Sequence, residues 1–114
     1  MSIKIKDFSV LEQLLVCSYH SKLIEVLQWF CTTYEKVTFT CGHRSGDVGV
    51  HGTLPCRAVD LRSLDYENPK SVEEQTNKVW TYDLTRPDMK VAFLHDVGSG
   101  MHFHIQVHDR TRRR

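Results

Sequence analysis

Near its C-terminal end the chain reads Met-His-Phe-His-Ile-Gln-Val-His, residues 101–108, and this alternation restricts the fold more than any other stretch. On a β-strand successive side chains point to opposite faces. Phe103, Ile105 and Val107 therefore share an apolar face, and His102, His104, Gln106 and His108 share a polar one. The strand must lie on a core with one side while the other presents imidazoles at intervals of roughly 6.5–7 Å. Solvated strands are normally covered by Lys, Glu and Thr. A face of histidines is either a half-exposed strand face in water or one aimed at a metal or at catalysis, and the strand by itself leaves both open.

The rest of the chain supplies what that strand needs. Ser9–Glu12 reads as a capping box with Ser9 as N-cap, opening a helix with Val10, Leu11, Leu14 and Leu15 on one face. The pattern breaks near Cys17–Ser21. A second helix runs from Lys22 to about Tyr34, carried by Leu23, Ile24, Leu27, Phe30 and Cys31 at helical spacing. Lys36–Thr40 is a β-branched strand. Residues 41–55 hold four of the six glycines and form a long loop, a length that in compact domains tends to be functional. Arg57–Arg62 is strand-like. Ser71–Glu74 is a second capping box, opening a helix to about Tyr82. Met89–His95 and Met101–His108 are strands joined by the glycine-bearing Asp96–Gly100. The predicted fold class is α+β, a small antiparallel sheet with helices packed on one face. It spans residues 1–114 as one domain, with 110–114 a basic tail.

Composition narrows the function. A 114-residue chain that is 40% hydrophobic with a net charge of +1 argues for a packed core and against a dedicated polyanion surface. No apolar run reaches the roughly 18–20 residues of a membrane span. Acidic and polar residues follow Lys4 and Lys6 where a secretory signal would be apolar, so the expectation is cytoplasmic synthesis without such a signal. Cys17, Cys31, Cys41 and Cys56 show no paired spacing, and a disulfide framework is not expected. Trp29 and Trp80 fall in predicted helices and read as core.

Asp60 sits mid-strand between Val59 and Leu61. A carboxylate there needs a partner, because an unpaired buried charge is costly. Arg44, Arg57 and Arg62 are available, and so is a metal. His51, in the glycine-bearing loop, can fold back towards Asp60, and the small Ala58 leaves room beside it. Two histidines and one carboxylate with an open fourth position make a catalytic zinc set: His51, Asp60 and one histidine of the His102/His104 pair.

Three segments in order, Thr40–Ser45, Gly49–Arg62 and His102–Val107, resemble the zinc D-alanyl-D-alanine carboxypeptidase and dipeptidase family of peptidoglycan peptidases, whose wider fold is shared with hedgehog domains. Family members carry S-x-H-x-x-G-(R/L)-A-x-D, then a histidine on a later strand, often within H-x-H, and an upstream arginine for the substrate. The chain departs from that pattern. Eight residues rather than six separate His51 from Asp60, Gly49 stands at the serine position and Cys56 at the glycine. The acidic base expected three residues before the last ligand falls on Met101, or on Ser99 if His102 is the ligand.

The resemblance implies one zinc ion held by His51, Asp60 and His104, with His102 as proton acceptor and Asp96 in reserve. It assigns Arg44 to catalysis and substrate binding; Gln106, on the same strand face as the histidines, is placed to orient either substrate or a neighbouring group. The implied activity is hydrolysis of a peptide bond in the stem peptide or cross-link of bacterial cell-wall peptidoglycan, as carboxypeptidase or endopeptidase. A phage endolysin-like enzyme, acting on the wall once released, is included. No nucleic-acid partner is expected. The alternatives are an inactive peptidase-fold binding domain, a structural zinc module using Cys41, His43, His51 and Cys56, and a nucleic-acid module using the basic tail with Lys4, Lys6 and Lys22.

Overall fold

The computed structural model describes residues 2–96 and 100–114. Ser99 and most of the Asp96–Gly100 connection lie outside the described residues. In chain order the elements are β1 (Ser2–Ile5), α1 (Phe8–Leu15), α2 (Ser21–Thr33), β2 (Lys36–Cys41), β3 (Ala58–Arg62), α3 (Pro69–Val79), β4 (Trp80–Thr81), β5 (Ala92–Asp96), β6 (Met101–Gln106) and β7 (Arg112–Arg113). A short 3-10 turn, Val50–Gly52, lies between β2 and β3.

The main sheet has the order β1-β2-β3-β6-β5. Four strands pair antiparallel, as expected, but β1 runs parallel to β2, so the sheet is mixed. This edge strand escaped the sequence reading because Lys4 and Lys6 mark its exposed side, a usual device for blunting an edge. The opposite edge is blunted differently. Asn77 of α3 accepts from the Ala92 N–H and donates to its carbonyl, and Glu73 accepts from the Leu94 N–H.

One face of the sheet carries the core. Phe103, Ile105 and Val107 are fully buried with Val59 and Leu61 of β3, against Leu23, Val26 and Phe30 of α2 and Val72 of α3. Phe30 meets Phe103 edge-on, with ring centroids 6.4 Å apart.

Both helix starts differ from the capping-box expectation. Asp7, not Ser9, caps α1 by accepting from the Val10 N–H, and the Ser9 hydroxyl donates to Asp7. Asn68, not Ser71, caps α3 by accepting from the Ser71 N–H, with Pro69 at the first helical turn. In both cases an earlier Asx outcompetes the serine as cap. The last helix ends at Val79 rather than Tyr82, because Trp80 enters β4.

The basic tail is not a solvated extension. Arg112 and Arg113 form β7 against β4, Arg113 sits over the Trp80 ring at 5.7 Å, and the Arg114 N–H donates to the Val79 carbonyl. Trp80 is buried and Trp29 packs at the margin of the core. All four cysteines are free, and no helix among the described residues is long and apolar enough to cross a membrane.

Candidate metal centre

The face of the sheet opposite the core gathers the predicted site residues. The β3–β6 register sets Asp60 opposite His104, Ala58 opposite Gln106 and Arg62 opposite His102, and β5 adds Phe93 and His95 on the same face. Asp60 is 7% exposed. Among the described residues its ion pairs are all with histidines: His51 Nε2 at 3.1 Å, His104 Nδ1 at 3.2 Å and His102 Nε2 at 3.6 Å. No arginine takes that role; Arg44 pairs with Asp47.

His51 reaches Asp60 because its loop folds back on itself. The Arg44 N–H donates to the His51 carbonyl, and the Gly52 N–H donates to that of Gly49. A Cβ on Gly52 would lie 1.8 Å from the Asp47 carbonyl oxygen, so only glycine permits this close return. The chain then re-enters the fold at Cys56, bridged to Tyr19.

Two further contacts fix how the imidazoles face. His51 Nδ1 lies 2.9 Å from the Gly42 carbonyl oxygen, a pure acceptor, so Nδ1 carries a proton. The Gln106 amide nitrogen donates to the Lys90 carbonyl, which turns Oε1 to within 3.2 Å of His104 Nε2. That nitrogen is therefore the donor. Each ring thus has its far nitrogen protonated and its near nitrogen aimed at Asp60 Oδ1. Lone pairs facing a carboxylate oxygen would repel, so the arrangement calls for positive charge at its centre, either protons or a metal ion. The protonated alternative shows in the acid–base balance. Burial alone would lower His51, but the hydrogen bond to Asp60 and the nearby Cys41 side chain outweigh it and push the imidazole up to about 9. Burial would raise Asp60, yet hydrogen bonds from His104 and His51 hold its carboxyl well below the usual range.

Cys41, His51 and Asp60 form a group able to hold a metal ion, with ligand atoms within 4.8 Å of one another. Far-side hydrogen bonds to a carbonyl or amide oxygen are the usual support for metal-ligating histidines. A donor set of nitrogen, carboxylate oxygen and sulfur fits a borderline cation such as zinc better than calcium or magnesium.

The remaining predicted residues divide. His102 faces Asp60 from β6, and Arg44 shares with it a pocket of about 500 Å³ lined also by Lys6, Cys41, Asp60 and Arg62. Gln106 is 6% exposed with its amide committed at both ends, so it orients His104; of its two expected roles, this is the one the geometry supports. Asp96 falls with Ala92 and Leu94 on the face opposite His95 and accepts from the Gly100 N–H. It is not placed to act as a reserve base, because strand alternation turns it away. The cysteine–histidine quartet does not form. Cys56 Sγ lies against the carbonyls of Ala58 and His51, and His43 Nδ1 is buried without a hydrogen-bond partner among the described residues.

Two members of the site were not legible beforehand. Cys41 arrives through a register shift between Phe39 and Cys41. His95 stacks edge-on with His102, with centroids 4.5 Å apart, and its Nε2 is buried without a hydrogen-bond partner among the described residues. Burial, then the neighbouring His102 and His104, keep its pKa low. Comparison of the chain with protein-family models, curated proteins and solved structures found no match.

Proposed function

We propose that the chain is a zinc-dependent peptidase that hydrolyses a peptide bond of bacterial cell-wall peptidoglycan, in the manner of a carboxypeptidase or a phage endolysin-type endopeptidase. One observation carries this reading: two imidazoles, each oriented by an oxygen on its far side, turn their near nitrogens onto a single oxygen of Asp60. The substrate class rests on the resemblance of His51, Asp60, His104 and Arg44 to the peptidase pattern.

In this reading His51, Asp60 and His104 hold the ion. When bound, zinc supplies a water acidified to a pKa of about 7 and a Lewis acid for a carbonyl oxygen. The chain's own side chains do the rest. His102 takes up a proton at Nε2 and returns it to the leaving amine, as a general base and then acid. Arg44, on the rim of the same pocket, holds a substrate carboxylate or a developing oxyanion with its forked guanidinium. Gln106 and the Gly42 carbonyl keep the two ligating rings from rotating.

The test begins with metal analysis of protein purified without a metal-binding tag. Near-stoichiometric zinc is expected, and His51→Ala, Asp60→Ala and His104→Ala each lose it. His102→Ala keeps the zinc and loses cleavage of purified peptidoglycan fragments. A wild-type chain that binds no zinc, or a zinc-loaded chain that cleaves no fragment, refutes the corresponding half of the reading.

A further inference from the structure

We infer that Cys41 is a fourth protein ligand of this centre, its sulfur closing the coordination position that a water would otherwise take; the inference rests on the metal-centre reading above. Strand alternation would send Cys41 to the core side with Val37 and Phe39. The register shift between Phe39 and Cys41 pairs it with Asp60 instead, so a β-bulge re-aims this one side chain. Its Sγ belongs to the group whose ligand atoms lie within 4.8 Å of one another, with His51 and Asp60. Cys41 is half-buried and lines the 500 Å³ pocket beside Asp60 and His102.

The other cysteine of this region shows what a purely structural thiol looks like here. Cys56 is fully buried and its sulfur lies 3.4 Å from the Ala58 carbonyl and 3.6 Å from that of His51. Cys41 donates to the Gly42 carbonyl at 3.6 Å, an oxygen that already accepts from His51 Nδ1 at 2.9 Å, and its side chain also meets the His51 imidazole. The Cys41 thiol therefore shares its carbonyl acceptor with His51 and faces the metal-centre side chains rather than a backbone acceptor of its own.

Cys41, His51 and Asp60 bring sulfur, nitrogen and oxygen within 4.8 Å of one another; His104, which reaches the same Asp60 oxygen but lies outside that group, would complete a four-donor tetrahedral set of the closed kind on binding. On binding, the S–H bond breaks, the proton leaves to solvent and sulfur takes its place on the metal. A centre closed in this way rests without an open position, and departure of the Cys41 sulfur exposes one.

Cobalt(II) titration of the metal-free, fully reduced full-length chain tests this, because thiolate ligation gives a near-ultraviolet charge-transfer band that nitrogen and oxygen ligation do not. The wild type is expected to show that band together with visible d–d bands. Cys41→Ser loses the charge-transfer band and keeps the d–d bands, and Cys56→Ala keeps both. Visible bands without the near-ultraviolet band in the wild type, or a band that survives Cys41→Ser, overturn the inference and leave the metal-centre reading standing. No cobalt spectrum at all overturns both. A second measurement needs no variant: zinc is expected to abolish alkylation of Cys41, mapped by peptide mass, since only a free thiolate reacts. Alkylation at the same rate with and without zinc overturns the inference.

Discussion

The two faces of β6 solve opposite problems with neighbouring residues. Towards α2 and α3, Phe103, Ile105 and Val107 are fully buried, and their contribution is non-directional burial that depends on volume. Towards Asp60, His102, His104 and Gln106 are fixed by direction: which ring nitrogen faces which oxygen, at 3.2–3.6 Å. The first face gives up stability when atoms are removed. The second gives up its chemistry when an orientation is lost, with far less effect on the fold. A single strand can serve both because its period of two keeps them apart.

That separation can be broken in graded ways. The largest effect is expected from Phe103→Ala, which should lower the unfolding free energy by about 3–5 kcal/mol in urea denaturation while the folded fraction still binds zinc; loss of zinc from folded protein would mean the faces are coupled. Next comes pH. His51 is raised in the folded state, so its contribution is fully present below the ordinary histidine pKa and is lost as pH rises towards about 9. Metal-free protein should therefore lose on the order of 2 kcal/mol between about pH 6.5 and pH 9, read by denaturation at each pH, and saturating zinc should flatten that slope. Asp60 works in the other sense: its stabilisation is present above the ordinary carboxylate range and is lost on strong acidification. The smallest effect is expected from Gln106→Leu. With His104 no longer oriented, zinc affinity should fall about tenfold, or about 1.4 kcal/mol, measured against a competing chelator; an unchanged affinity would remove Gln106 from the support of the site.

The sequence made the polar–apolar split of β6 legible because alternation is a local property, and the solvent-averse position of Asp60 followed in the same way. His51 was legible through its spacing in the glycine-bearing loop. Cys41 was not, because a one-residue irregularity in β2 leaves no mark on composition, and alternation counted through it assigns the wrong face. His95 lay in a predicted strand, but its meeting with His102 depends on the β5–β6 register. The parallel β1 and the two-residue β4 and β7 are too short or too charged to show periodicity. The helix caps were displaced because Asp7 and Asn68 compete with the serines that follow them.

The irregularity in β2 has a consequence for how such a chain can change. A side chain there passes from one surface of the sheet to the other through the length of the backbone, with no replacement of any amino acid. Loss of Thr40 would close the irregularity and leave Cys41 next to Phe39 in the chain, still opposite Asp60 and still on the polar surface, because neighbouring residues of a regular strand alternate. The surface a thiol occupies there is set by the partner it meets across the strand and not by its count from Phe39.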